Sequence, residues 1–571
     1  MNTKNLKWTL CLAGALAFTA CDNDVEHDIP EVGAPSLVEY TPTTSSKVRT
    51  GEVEIQVKYD KNVNFVTANL NKLTFTGGKL ISAEVYGISN ILTVKVNVPT
   101  RETACTLTIP EGVVTGPNHM PAPEVTVNFN TVTLQKAPLA ATQPAAVALY
   151  NSLYNNYGEK TFSGMMANVA WNHECADQVF EWTGKHPAIN TYDFVHMPAS
   201  EAGANWINYR DITPVSEWAA AGGIVSCMWH WLVPKFAPVA EDLRVKVWES
   251  EAVNMGNWEG NIQLTTAAEA DLSMFDQAVE GDYLIVKVEQ DATQGWWQGS
   301  LKNTGWSELA EGSNVIEMTA GATQYAFLLS QAAIDEIKTN GFIISGCNHK
   351  VLSVHLGTPA TVYDPNEDYT YKPEETSFNA KNALTAGTWE NDVYKKDMQT
   401  VIEYLKQLQD ANIAVLWRPF HEAEGAWFWW GSKDADTFKA LWIDMFNQFK
   451  SAGLNNLIWV YTAEDVTDTW YPGDEYVDIV GRDLYNKDNA EDCATEFNNF
   501  SWYYGDKIMT LSECGTVAPI SEQWGKGARW SWFMPWYSEA DGDGSVIHAD
   551  QNWWIDAMSQ DYVISREDLI Q

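Results

Sequence analysis

The sequence predicts an α/β fold in which a (β/α)8 TIM barrel is preceded by an Ig-like β-sandwich and interrupted by an inserted β-sandwich. From about residue 137, apolar strand-like runs alternate with helical stretches, which is the rhythm of a parallel sheet closed into a barrel. Residues 36–135 and 232–356 instead contain short runs in which apolar and polar residues alternate, as in sandwiches. The 571 residues leave room for about three or four domains of ordinary size.

Residues 1–20 are predicted to be a lipoprotein signal peptide. Lys4 and Lys7 precede an apolar run, from residue 8 to residue 20, that is too short to cross a bilayer. The run ends in Phe-Thr-Ala-Cys, which resembles a bacterial lipobox, so Cys21 is the predicted lipidation site. The alternative is an ordinary signal peptide followed by an incidental cysteine.

Residues 21–35 are predicted to be an acidic tether, because acidic residues, two prolines and a glycine follow the cysteine. An acidic cluster directly after the lipidated cysteine resembles the surface-export signal of Bacteroidetes lipoproteins. One lipidated cysteine and no later membrane-spanning run predict an anchored rather than a spanning protein. We therefore expect a lipoprotein on the outer membrane surface that faces outside the cell.

Residues 36–135 are predicted to form the Ig-like sandwich. Apolar and polar residues alternate at 53–57, 91–96 and 125–129, and glycine-rich turn signals separate these runs. The segment contains no cluster of histidine, cysteine or carboxylate residues. We interpret it as a spacer rather than a binding module.

The barrel is predicted in two parts, residues 137–231 and 357–571. Helical stretches are expected at 397–409 and 436–452, between apolar runs. The predicted strands are 162–169, 224–229, 413–417, 457–461, 477–480, 508–511 and 532–536.

Residues 232–356 are predicted to be an inserted β-sandwich that follows the third barrel strand, with strands at 283–288 and 341–346. Surface loops tolerate such insertions because a longer loop costs little closure entropy. A sandwich with surface tryptophans resembles a carbohydrate-binding module, whereas tryptophans that fill the sandwich core would have no such role. The residues concerned are Trp258, Trp296, Trp297 and Trp306.

The amino-acid composition limits the kinds of molecule that the protein is expected to bind. Lys and Arg number 36 against 75 Asp and Glu, a net charge of −39, so phosphate backbones are repelled and nucleic-acid binding is not expected. The 27 Trp and 23 Tyr suit either stacking on sugar rings or large buried aromatic clusters. The cysteines are scattered without zinc-site spacing, so no metal and no cofactor are predicted.

Two glutamates stand at the ends of predicted barrel strands. The run Leu-Trp-Arg-Pro-Phe-His-Glu ends at Glu422 and is followed by a glycine and an aromatic run, and Met-Thr-Leu-Ser-Glu ends at Glu513. The carboxyl ends of the strands face the active site of such a barrel. Paired carboxylates there suit retaining glycoside hydrolysis, for which the carboxyl groups lie ~5–5.5 Å apart rather than ~6.5–9.5 Å.

These motifs resemble glycoside hydrolase family 26, whose members are mostly endo-β-1,4-mannanases. The resemblance covers residues 137–231 and 357–571, and implies that Glu422 is the general acid/base and Glu513 the nucleophile. Many members have Met-Asn after the acid/base, where this chain has Ala423-Glu424. The resemblance further implies substrate-binding roles for His230, His421, Trp427, Asp483, Tyr485 and Trp536.

The sequence thus predicts an enzyme, a mannan endo-1,4-β-mannosidase that is monomeric and acts on a β-mannan polysaccharide. The same family contains enzymes for mixed-linkage β-glucan and β-1,3-xylan, so these substrates stay open. The competing hypothesis is a non-catalytic surface glycan-binding protein. Retention of both glutamates favours the enzyme.

Overall fold

The computed structural model describes residues 33–100, 102–168, 170–309, 314–465, 469–538 and 548–570. These residues form two compact units, divided between residues 133 and 134. The predicted signal peptide, Cys21 and most of the acidic tether lie outside the described residues, so those assignments stay predictions. Within the described ranges, no helix has both the length and the apolarity needed to cross a membrane.

The first unit is a β-sandwich, and it includes the three strands predicted at 53–57, 91–96 and 125–129. Val53, Ile55 and Val57 are buried and alternate with more exposed polar residues, so one face of each sheet packs on a shared apolar core. The strands are Leu37–Thr41, Gly51–Tyr59, Asn64–Phe65, Thr74–Thr76, Lys79–Glu84, Ile91–Val98, Ala104–Ile109, Val114–Thr115 and Val125–Asn130.

The second unit contains a closed barrel of eight parallel strands, which confirms the predicted fold class. Closure is made by the first strand, whose Gly164 pairs with Ile189 of the second strand and whose Phe162 pairs with Trp532 of the eighth. Barrel strands 1 to 8 are Thr161–Met166, Ile189–Asp193, Ile224–Trp229, Val415–Pro419, Leu457–Thr462, Ile479–Lys487, Ile508–Val517 and Trp532–Pro535.

Helices surround the barrel and bury their apolar faces against it. The predicted helical stretch 397–409 lies within Trp389–Asp410, and the stretch 436–452 matches Ala435–Ser451 except for its last residue. These helices begin at the side-chain caps Thr388 and Asp434. A short strand, Val563–Ile564, adds to barrel strand 1. The other helices are Pro144–Asn156, Glu174–Thr183, Met197–Glu201, Thr213–Ala220, Ala490–Tyr503, Ile520–Gly525, Gln551–Met558 and Arg566–Leu569.

The inserted sandwich leaves the barrel after strand 3 and returns before strand 4. A two-stranded ribbon, Val233–Pro234 against Tyr369–Thr370, joins its two connections next to the barrel. The helix Gln331–Asn340 packs on an apolar core that is separate from the barrel core. The strands are Asp242–Asn254, His349–Thr358, Tyr283–Gln290 and Gln324–Leu328 in one sheet, and Asn257–Thr265, Gly341–Cys347, Trp297–Lys302 and Asn314–Met318 in the other.

Candidate active site

Glu422 is placed by a strained turn directly after barrel strand 4. Phe420 and Glu422 both have left-handed backbone conformations, with φ of 48° and 52°. This region is unfavourable for residues with a β-carbon, and such strain is concentrated at functional sites. Glu422 therefore lies in a turn rather than in a helix or strand, and this turn holds its carboxyl group at the mouth of the barrel.

Glu513 lies within barrel strand 7 and is buried. Arg418 of strand 4 binds it, with 3.1 Å between Nη1 and Oε2, and also forms an ion pair with Asp483. The guanidinium is oriented by Thr462, whose Oγ1 accepts a hydrogen bond of 2.7 Å from Nε. Arg418 thus braces two carboxylates.

The Tyr485 hydroxyl donates a hydrogen bond of 2.5 Å to Glu513 Oε1. Burial and the nearby Asp483 raise the pKa of Glu513, whereas the charge of Arg418 and the Tyr485 hydrogen bond lower it. Each Glu513 oxygen therefore has a fixed donor, and these two donors favour the ionised carboxylate.

Glu422 has a different environment. Its Oε2 accepts a hydrogen bond of 2.9 Å from the indole nitrogen of Trp427. Burial, followed by the charge of Glu513, raises the pKa of Glu422, and does so more strongly than for Glu513. Because two adjacent carboxyl groups do not both ionise readily, the proton resides on Glu422.

Gly425 sets the position of the Trp427 ring. A β-carbon on Gly425 would lie 2.1 Å from atoms of the indole, so only glycine allows the ring to lie against the backbone. The ring itself is 47% exposed, which leaves one side open to the cleft. Trp427 can therefore serve both as a hydrogen-bond donor to Glu422 and as an apolar wall.

A histidine pair lies beside the two carboxyl groups. His230 Nδ1 is 2.5 Å from Asp193 Oδ2, and its Nε2 is 3.1 Å from Nε2 of His421. Burial, with the charges of His230 and Arg418, lowers the pKa of His421 well below its usual range. We assign a neutral His421, whose Nε2 shares a hydrogen bond with Nε2 of His230.

Aromatic rings surround this pair. The ring centroids of Trp536 and His230 are 5.8 Å apart, and those of Tyr371 and His230 are 5.5 Å apart. Phe428 packs against both histidines. Flat apolar walls of this kind exclude water from a site and can stack on sugar rings.

The carboxyl groups open into a cleft of about 480 Å³. It brings together five of the predicted residues, Glu422, Trp427, Asp483, Tyr485 and Glu513. The predicted residues His230, His421 and Trp536 do not line this cleft, and both histidines are buried. The residues that line the cleft are Glu422, Trp427, Glu464, Arg482, Asp483, Leu484, Tyr485, Lys487 and Glu513.

Several site residues escaped prediction. Asp193 ends barrel strand 2, and a carboxylate at a strand end is the same signal that identified Glu513. Glu464 and Arg482, which form an ion pair of 2.9 Å on the cleft wall, carry no such signal. Burial and Asp483 raise the pKa of Glu464 to about 7, while Arg482 lowers it. Glu424 does not line the cleft and binds the Tyr461 hydroxyl at 2.8 Å.

Glu422, Asp483 and Glu513 each offer a carboxylate oxygen within 4.8 Å of the other two. Among the described residues, this is the one group of acidic, histidine or cysteine side chains spaced closely enough to hold a metal ion. Arg418 already neutralises two of its three members. We assign no metal to it, and the expectation that none is needed stays a prediction.

Paired carboxyl groups of this spacing at the mouth of a parallel barrel are typical of glycoside hydrolases. The model of glycosyl hydrolase family 26 matches residues 140–257 and 329–566, more than half of the chain. The chain belongs to glycosyl hydrolase family 26. The residues between the two matched segments lie within the inserted sandwich.

The chain is also similar to individual members. It is 36% identical over 173 residues to mannan endo-1,4-β-mannosidase B of Piromyces, covering 30% of each chain. It is 34% identical over 204 residues to a mannan endo-1,4-β-mannosidase of Thermothelomyces thermophilus, which is 35% of this chain and 41% of the relative. The chain thus spans less than half the length of these curated relatives.

Two solved structures are similar to this chain. The family 26 domain of an endo-β-mannanase/endo-β-glucanase from Prevotella bryantii is 31% identical, with a TM-score of 0.51, and the match covers 76% of this chain and all of that domain. A ruminal family 26 endo-β-1,4-mannanase is 20% identical with a TM-score of 0.50 over 92% of this chain and 91% of its own. The second likeness concerns the fold alone.

Proposed function

We propose that the protein is a retaining endo-β-1,4-mannanase, with Glu422 as general acid/base and Glu513 as nucleophile. One observation carries the proposal: oxygens of the two carboxyl groups lie within 4.8 Å of each other, while each group has its own donors. This spacing is closer to the ~5–5.5 Å between the carboxyl groups of retaining enzymes than to the ~6.5–9.5 Å of inverting ones. Family relatives described as mannan endo-1,4-β-mannosidases support the substrate class.

In the first step, a Glu513 oxygen attacks the anomeric carbon and forms a covalent glycosyl ester. The bond from that carbon to the leaving oxygen breaks, and Glu422 donates its proton to that oxygen. Arg418 and Tyr485 hold the Glu513 carboxylate in line before attack, so the reaction begins from an oriented nucleophile.

In the second step, Glu422 is ionised and removes a proton from water. The resulting oxygen attacks the anomeric carbon, the ester bond to Glu513 breaks, and the sugar regains its original β configuration. Glu422 is protonated again and Glu513 is a carboxylate again. Two displacements at the same carbon therefore restore both groups to their starting states.

The substrate is tested by reducing-end release from glucomannan, galactomannan, barley β-glucan and β-1,3-xylan in parallel, with products resolved by size. We expect rapid release of mixed oligosaccharides from the two mannans. Hydrolysis of only the glucan or the xylan would be consistent with the proposed mechanism but would contradict mannan as the substrate. Retention on these polymers without any release would favour the surface glycan-binding protein.

Tyr485→Phe is expected to lower kcat on mannan by about 10- to 100-fold, the loss that corresponds to one hydrogen bond to a charged group. The same hydrogen bond lowers the pKa of Glu513, so its loss raises that pKa. Because Glu513 reacts as the carboxylate, the acidic limb of the kcat/KM profile should move to higher pH. An unchanged acidic limb would contradict the assigned contact.

A further inference from the structure

The inserted sandwich has an end that lies away from the barrel and carries three neighbouring loops. We call them the tip, which comprises residues 254–258, 291–296 and 347–349. The chain enters the sandwich at Asp242, which pairs with Thr358 where the chain leaves it. The strand from Asp242 reaches the tip at Asn254, and its partner strand covers the same distance between Thr358 and Lys350, roughly 26 Å at the rise of an extended strand. The tip therefore lies at the opposite end of the sandwich from its connections to the barrel, and none of its residues lines the catalytic cleft.

The tip presents two indoles to solvent. Trp258 is 38% exposed and Trp296 is 49% exposed. The next residue, Trp297, differs because it is 8% exposed and its indole nitrogen donates to the Asp291 carbonyl at 3.0 Å. Trp297 thus belongs to the sandwich core, whereas Trp258 and Trp296 leave large flat rings accessible, which is the surface that stacks on sugar rings.

Asn348 locks the three loops together. Its backbone nitrogen donates to the Gly256 carbonyl at 2.6 Å, and its side-chain nitrogen donates to the Trp296 carbonyl at 2.9 Å. Its own carbonyl accepts from the Asp291 nitrogen at 2.9 Å. The loops that carry the two indoles are thereby held in a fixed relation before any ligand arrives, which lowers the entropic cost of binding.

The spacing of the two indoles follows from the sheet. Asn257, next to Trp258, and Gln298, near Trp296, pair with opposite sides of Cys347. Their backbones are therefore two strand spacings apart, roughly 9.5 Å. Two rings on this scale can contact separate sugars of one extended chain.

The backbone of Trp258 is strained, with a φ of +69°. A bulky side chain is rarely found in this left-handed region, where glycine is favoured. Strain of this kind persists only where the surrounding structure holds it. The turn therefore holds an indole outward at a position where a smaller residue would fit better.

We infer that Trp258 and Trp296 form a binding site for a neutral β-linked polysaccharide, separate from the catalytic cleft. The tip loops contain no lysine or arginine, and Asp291 would repel an anionic chain. Asparagine, threonine and glutamine supply hydrogen-bonding groups between the rings. The site holds the enzyme on its polymer, and the choice of mannan as the first probe rests on the proposed function.

The test compares Trp258→Ala and Trp296→Ala with Trp306→Ala. Trp306 is a matched control, because it is 50% exposed, has a φ of +62°, and follows the opposite end of the strand Trp297–Lys302. Each change is made in Glu513→Ala protein, so that no polymer is consumed, and retention on insoluble mannan, cellulose and xylan is measured by depletion. Unfolding temperatures are recorded for every variant.

Each tip variant is expected to lose at least about tenfold in affinity for mannan, while Trp306→Ala binds like its parent. When the tip substitutions are made in enzyme that retains Glu513, kcat/KM on mannohexaose should equal that of the parent. The rate of hydrolysis of insoluble mannan should be lower than that of the parent. Tip-dependent retention on none of the three polymers, or an equal loss in Trp306→Ala, would overturn the inference. Hydrolysis of mannohexaose by the parent tests the proposed function separately.

Discussion

Glu513→Ala is expected to lower kcat on mannan by at least about 10⁴-fold, since loss of a catalytic nucleophile has an effect of this order or larger. Without the Glu513 carboxylate no covalent intermediate forms, and Arg418 loses one of its two bound carboxylates. Reducing-end release from glucomannan measures the loss. The unfolding temperature of the variant shows whether the remaining ion pair to Asp483 preserves the fold.

Azide distinguishes a lost nucleophile from other damage at the site. In Glu513→Ala, azide can occupy the vacated space and attack the anomeric carbon directly. The product is then an α-glycosyl azide, because a single displacement inverts the configuration. A β-glycosyl azide, or residual activity above about one hundredth of the parent's, would assign Glu513 a different role.

Glu422→Gln is expected to lower kcat on mannan by about 10²- to 10⁴-fold, the usual contribution of general acid–base catalysis. The amide keeps the shape of the group and its contact with Trp427, but donates no proton to the leaving oxygen. With a dinitrophenyl glycoside the first step needs no such proton. Rapid release of dinitrophenol followed by slow turnover is therefore predicted, because the second step still lacks its base.

Glu424→Gln is the matched control for Glu422→Gln. Glu424 lies two residues further along the same turn, is partly buried, and binds Tyr461 away from the cleft. It should retain most of the parent's kcat and show no dinitrophenol burst. A larger loss in Glu424→Gln than in Glu422→Gln would move the acid/base role to Glu424.

The alternation of strands and helices was enough to predict the barrel, because buried parallel strands form continuous apolar runs. Barrel strand 2, Ile189–Asp193, was missed. Asn190, Thr191 and Asp193 interrupt its apolar run, although all five of its residues are buried. Asn190 and Asp193 find hydrogen-bond partners inside the fold, and such partners are invisible in a linear pattern.

The two glutamates could be predicted from strand ends, but their environments could not. Arg418 and Asp483 are 65 residues apart in the chain and meet only because strands 4 and 6 flank the same barrel mouth. The same holds for His230 and His421, which are 191 residues apart. Local sequence thus predicts which groups react, whereas the donors that orient them depend on closure of the barrel.

The tryptophans of the inserted sandwich show the same limit. Composition alone did not show which of these tryptophans lie on the surface and which lie in the core. In the structure, some lie in each place. Trp297 begins a strand and faces inward, whereas Trp258 and Trp306 have left-handed backbone conformations. Residue propensities do not predict a tryptophan with a left-handed backbone conformation, because glycine is the residue usually found in that conformation.

The most direct test of the mechanism is to trap the covalent intermediate. The protein is incubated with a 2-deoxy-2-fluoro-β-mannosyl fluoride extended by one β-1,4-linked mannose, and its peptides are mapped by mass spectrometry. The fluorine at carbon 2 destabilises the cationic transition state and slows both steps, while the good leaving group lets the first proceed. The account predicts one glycosyl label on the peptide that contains Glu513, formed as activity is lost. Activity lost with the label on Glu422 or Glu424, or full turnover without any label, would contradict it.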